Sequence, residues 1–105
     1  MDSFDKVEQL KELLLGDTGL LVSLRLGDGL DNEKVMEIIN ILKKLKLEWE
    51  KENTIPKKAV DLFIDFYPVM ESASVLYSDN ESNMIMDAAD KIMDLIRDCI
   101  LETNY

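Results

Sequence analysis

Residues 16–29 read GDTGLLVSLRLGDG and carry all four glycines of the chain. Their reading decides between two architectures. Val22-Ser23-Leu24-Arg25-Leu26 alternates apolar and polar side chains like a strand, whereas Leu20, Leu21 and Leu24 suit one side of a short helix. A strand needs a neighbour, because a lone one leaves its backbone N–H and C=O groups unpaired. No second segment of the chain has convincing strand character, so the sequence predicts a short helix over about residues 20–26. Gly16 stands where a left-handed helix C-cap is usually found, and Asp17 or Thr18 offers a cap for the next element. Gly27-Asp28-Gly29 reads as a second turn. A structureless connection from Gly16 to Asp31 would be unusually long for a compact domain, which again favours the short helix.

Outward from this stretch the apolar residues keep a helical period. Phe4, Val7, Leu10 and Leu14 mark a first helix over residues 3–15, with Asp2 or Ser3 as its N-cap. A second begins after the cap residue Asp31, with Leu30 placed to staple onto Val35. Its stripe is Val35, Ile38, Ile39, Leu42, Leu45 and Trp49, and its end is expected near Glu52. Ile41 and Leu47 lie off that stripe, which points to contacts on two sides, while Lys43, Lys44 and Lys46 are expected to face water. Asn53-Thr54-Ile55-Pro56 is a connector, with Thr54 or Ile55 as cap and Pro56 in the first turn of a third helix. The third stripe, Leu62, Phe66, Val69, Ala73 and Leu76, stays in register across Pro68. One helix kinked at the proline is therefore expected, with a break there as the alternative. The polar turn Ser78–Ser82 precedes a fourth helix to about Leu101, marked by Ile85, Ala88, Ala89, Ile92, Ile96 and Cys99. Short connectors between the second, third and fourth helices predict antiparallel neighbours. The expected fold is all-α: a single domain over residues 1–105, a four-helix bundle with one extra short helix.

Composition narrows the chemistry. Of 105 residues, 22 are acidic and 12 basic, for a formal net charge of -10. Such a charge repels phosphate backbones and anionic lipid surfaces, so neither nucleic acid nor membrane is an expected partner. Acidity is concentrated in the carboxyl-terminal half, where ten acids from Ala59 onward face only Lys91 and Arg97. The amino terminus has neither a basic n-region nor an apolar h-region, and no uncharged run approaches the about 18 residues of a membrane span. The lone cysteine, Cys99, cannot form an internal disulfide, and its helical neighbours predict a buried, inert thiol, as expected of a cytoplasmic chain.

Several constellations invite a catalytic or metal-binding reading. Asp17-Thr18-Gly19 resembles the signature triplet of aspartic proteases, but that fold is entirely β and sets its aspartate at the end of a strand. Nothing else in the chain follows that pattern, and a hinge between two helices explains both glycines and the aspartate. Gly27-Asp28-Gly29 lacks the preceding strand and the Gly-Lys-Ser/Thr ending of a phosphate loop. Asp79, Glu81, Asn83, Asp87 and Asp90 space their oxygens like an EF-hand loop. Met84 nonetheless occupies the position that needs glycine, and Asp90 stands where a longer bidentate glutamate belongs. The chain has no histidine, which removes the usual nucleophile–base pairs and most zinc sites. Neither a cofactor, a metal nor catalysis is expected.

One pattern remains. Asp87, Asp90, Asp94 and Asp98 follow spacings of three, four and four residues, which places them roughly opposite Ile92 and Ile96 on the fourth helix. Asp61 and Asp65 form a similar pair on the third. Like charges so arranged oppose one another by a few tenths of a kcal/mol per pair; a solvated, solubilising face is the plain reading. The functional reading is a surface that steers and matches a basic partner, with Tyr67 and Trp49 as the aromatic anchors expected to be exposed. The expectation is thus a non-enzymatic acidic protein-binding domain that masks a basic partner. Its most concrete form, by analogy of class and charge, is a bacterial immunity or antitoxin-type inhibitor of a toxin or nuclease. The alternative is a self-associating structural or regulatory module, a homodimer in which the lysine-rich second helix of one subunit meets the acidic fourth of another.

Overall fold

A computed structural model describes residues 3–101. Five helices follow one another: α1 Ser3–Leu15, α2 Leu20–Arg25, α3 Asn32–Trp49, α4 Lys57–Ser74 and α5 Asp79–Ile100, with no strand among the described residues. Four long helices pack together around one core. α5 lies against both α3 and α4, α1 lies against α3, and α2 bridges α1 and α4. Asp2, one of the two expected caps, and the side chains of Ser3 and Phe4 fall outside what is described, and Ser3, the other, is the first helical residue of α1.

Each long helix forms where its apolar stripe can be buried. Every stripe residue of α3, from Val35 to Trp49, is buried, and the Asp31 carboxylate caps its start by accepting from the Lys34 N–H at 3.1 Å. α3 stops at Trp49, short of Glu52, because Glu50-Lys51-Glu52 offers no apolar side chain to hold a further turn against the core. In α4 the core set is Ala59, Leu62, Phe63, Phe66, Met70 and Ala73. Leu76, expected to extend the stripe, is 62% exposed, since the helix has ended at Ser74. The buried Ser74 takes the last turn instead, its hydroxyl donating to the Glu71 carbonyl at 2.8 Å. Neither Thr54 nor Ile55 caps α4. Pro56 itself is the N-cap, with extended backbone, and its carbonyl accepts from the Ala59 and Val60 N–H groups at 3.0 and 3.3 Å.

Side-chain contacts fix the relative directions. Lys6 near the start of α1 pairs with Glu48 near the end of α3, and Gln9 and Leu13 share a groove with Glu37, Ile41 and Lys44. α1 and α3 are therefore antiparallel. Glu8 pairs with Lys58 at the start of α4, and Leu14 lies beside Leu62 and Asp65, so α1 and α4 run the same way. The short connector at residues 50–56 does not make α3 and α4 lengthwise neighbours, contrary to expectation. They meet near the connector, where the Trp49 and Phe63 rings are edge to face at a centroid distance of 6.3 Å and 69°, and both pack along α5. The apolar face of α5 is wide enough to serve both, so the consecutive pair need not pair.

The stretch from Gly16 to Gly29 departs from its cap signals. Gly16 is not left-handed; positive φ occurs at Gly27 (83°) and Gly29 (92°). Asp17 and Thr18 lie in the turn without capping α2, whose N-cap is Gly19 with no side-chain cap bond. The chain doubles back on α1 so tightly that a Cβ on Gly19 would sit 2.6 Å from the Leu14 carbonyl oxygen. The far end is tied by Tyr77, from the α4–α5 turn. Its hydroxyl donates to the Leu24 carbonyl at 2.7 Å and accepts from the Gly29 N–H at 3.1 Å. Leu20, Leu21 and Leu24 are buried beneath that tie.

Two substitutions separate local from core contributions. Tyr77→Phe leaves the Gly29 N–H and Leu24 carbonyl without this partner and lowers stability by about 1 kcal/mol, read as a shifted urea midpoint with faster amide exchange over residues 20–29. Phe66→Ala, at a side chain only 1% exposed, costs about 3–5 kcal/mol and destabilises all helices together.

Candidate functional site

Burial of one face of α5 determines what the opposite face presents. With Ile85, Ala88, Ala89, Ile92, Ile96 and Cys99 buried, Asp87, Asp90, Asp94 and Asp98 are all exposed. The helix is capped by the Ser78 hydroxyl, which accepts from the Glu81 N–H at 3.4 Å. The four carboxylates are not equivalent. Asp90 accepts from the Tyr67 hydroxyl of α4 at 2.8 Å, and Asp94 lies 3.9 Å from Arg97 in a loose, well-exposed pair. Asp87 and Asp98 face water.

Tyr67 is half-buried and Trp49 is buried. At 5% exposure Trp49 completes the α3 stripe against Phe63, which removes it as a surface anchor. The side chain is large and apolar and falls at the helical spacing of Leu42 and Leu45, so the core claims it. Tyr67 keeps its edge at the surface, where it lines a shallow depression with Pro68, Asp90, Met93, Asp94 and Arg97. Its phenol is pushed above the ordinary value of 10, first by the hydrogen bond to Asp90, then by burial and by the charge of that carboxylate.

Asp61 and Asp65 do not join this group. They line a different cleft, between α4 and α2, together with Leu15, Val22, Arg25 and Val69. Between the two acidic flanks runs the outer row of α4: Val60, 37% exposed, Ile64, 66% exposed, and Pro68, also exposed. The spacing of four residues puts them in one ridge. In the sequence this ridge is overshadowed by the longer stripe that builds the core. Its signal is present all the same: Val60 and Ile64 are apolar, four apart and off that stripe.

The other constellations dissolve on folding. The segment from Asp79 to Asp90 is helical from its first residue, so its oxygens spread along an axis rather than wrapping a cation. No group of three or more His, Cys, Asp or Glu able to hold a metal occurs among the described residues. Asp17-Thr18-Gly19 is a turn between helices. Cys99 is buried, its thiol donating to the Leu42 carbonyl at 3.4 Å, and burial, with the Asp98 charge, pushes it up to about 11. Such a thiol is protonated at neutral pH and a poor nucleophile. No described helix is long and apolar enough to cross a membrane. Comparison with protein families, with curated proteins and with solved structures finds no match.

The Tyr67–Asp90 bond has a pH signature. A raised phenol pKa means its contribution is complete below the ordinary value of 10 and is lost as pH rises through the raised one. A carbon-detected NMR titration of the ring should place Tyr67 above 10, and Asp90→Ala should return it toward the usual value. For Cys99, a thiol reagent at neutral pH should label only as fast as the bundle opens; labelling at the rate of an unfolded control contradicts the buried, protonated thiol.

Proposed function

We propose that this chain is a non-enzymatic acidic binding domain that masks a basic protein partner. In its most concrete form it is a bacterial immunity or antitoxin-type inhibitor of a toxin or nuclease, acting in the cytoplasm. The observation that carries the reading is the α5 face, where Asp87, Asp90, Asp94 and Asp98 are exposed beside the half-buried Tyr67. Four carboxylates on one side of one helix repel each other in the free protein, and a cationic partner relieves that repulsion. The net charge of -10 favours rapid encounter with a basic protein and disfavours nucleic acid and anionic membranes. Against a nuclease, such a face would occupy the positions that phosphates otherwise take. The reading also takes α4 to bend at Pro68, whose ring nitrogen has no proton for the Ile64 carbonyl, and the short segment over residues 20–26 to be an accessory helix of the bundle.

A second reading, self-association, has its own support. Lys43 and Lys44 are exposed on α3 near Leu47, which is 68% exposed, and a second copy could lay its acidic face there. Sedimentation separates the two: the first reading expects a monomer at low salt, the second an assembly that dissociates as salt is raised. For the partner itself, the chain and a variant with Asp87, Asp90, Asp94 and Asp98 changed to lysine are used as baits. A basic protein held by the first, released by salt and absent from the second at unchanged helical circular dichroism is the expected result. Equal capture by both baits removes the α5 face from the function.

A further inference from the structure

We propose that the outer ridge of α4 is the docking seat, and that its occupant is a basic amphipathic α-helix of the partner, laid alongside α4 between the two acidic flanks. The inference rests on the reading of the chain as an acidic binding domain and adds where and how the partner sits. Val60, Ile64 and Pro68 form an exposed apolar row; Asp61 and Asp65 each follow a row residue by one position, about 100° round the helix, and line the cleft toward α2, while Pro68 shares a depression with Asp90 and Asp94 of α5. An apolar centre inside a charged rim is the anatomy of a protein interface, and here the rim carries mostly one sign. Arg25 and Arg97 stand one on each flank, and Glu71 adds an exposed carboxylate toward the end of the row.

Charge complementarity names the occupant. A helix that meets this surface must set apolar residues along one stripe and lysines or arginines on both sides of it, so that each side finds a pair of aspartates. A ridge of residues four apart packs into the groove of another helix, which makes the newcomer a further member of the bundle. Pro68 adds a polar contact inside the apolar row: the Ile64 carbonyl cannot receive the N–H four residues on, and an incoming cationic side chain can donate to it. A second copy of this chain fits less well. Its charge of -10 meets another -10, and the exposed Lys43 and Lys44 on α3 stand within a few residues of Glu48 and Glu50.

The test uses the whole chain and two synthetic helical peptides with the same leucine stripe, one flanked by lysines and one by glutamates. The lysine peptide should bind and shift amide resonances over residues 60–75, and the glutamate peptide should not. Val60→Ser with Ile64→Ser, both at exposed positions, should leave the urea midpoint in place and weaken the lysine peptide about tenfold. Asp90→Lys with Asp94→Lys should weaken it and flatten its salt dependence. If the serine variant binds as the parent does while the lysine variant does not, the ridge is not the seat, and the acidic-face reading survives. Indifference to the aspartate changes overturns that reading as well. Loss of a self-association in the serine variant, with no peptide bound, assigns the ridge to a second copy and overturns the proposal.

Discussion

Burial of one face of α5 between α3 and α4 is the constraint from which the other features follow. Ala88 and Ala89 are small and buried, which lets neighbouring helices come close, while Ile85, Ile92 and Ile96 fill the space on either side. Burying each isoleucine contributes about 1.5–3 kcal/mol, far more than the few tenths lost for each pair of like charges on the opposite face. Once that face is committed, a rotation of about 100° per residue leaves no freedom in where Asp87, Asp90, Asp94 and Asp98 point. Packing thus fixes the position of the charge without any of the four carboxylates being needed for the fold.

Legibility in the sequence tracked how far each residue's role was local. The α3 and α5 stripes were readable because periodic apolar residues are buried wherever the bundle places the helix, and Asp31 capped as its residue type implies; the polar turn expected over Ser78–Ser82 shrinks to its first residue, Ser78, which caps a helix that begins at Asp79. Trp49 showed the limit of reading aromatics as anchors, since periodicity placed it in the core. The arrangement of α3 against α4 was not readable, because connector length limits which helices can be neighbours but does not choose between two candidates that both fit a third. For the candidate site, the acidic stripe was legible and its relation to α4 was not. Whether Asp61 and Asp65 join the α5 carboxylates or lie across a ridge from them depends on the rotation of α4 about its axis, which Phe63 and Met70 help to set from within the core.

On the proposed reading, the surface divides two physical tasks between its charged and apolar parts. Exposed carboxylates act over a Debye length of about 8 Å at physiological salt, and their main effect is on the rate and orientation of encounter. An apolar row acts only on contact and governs how long a complex lasts. Tyr67 stands at the boundary: its ring packs against the core while its hydroxyl holds the Asp90 carboxylate in place. That bond restricts one charge of the stripe beside the α4 ridge and leaves the others free to adapt.

The tie made by Tyr77 has a consequence for the order in which the chain can assemble. Its two bonds span 53 and 48 residues of sequence, so the segment between α1 and α3 receives this anchor only from the turn that joins the last two helices. Closing so long a loop carries an entropic cost that grows with the logarithm of its length, and local helix propensity across six residues is too short to hold α2 in its place. The stretch from Leu24 to Gly29 thereby borrows part of its shape from the turn between α4 and α5, whereas the Asp17-Thr18-Gly19 turn at the other end of α2 is held locally, the Gly19 N–H donating to the Gly16 carbonyl at 2.8 Å.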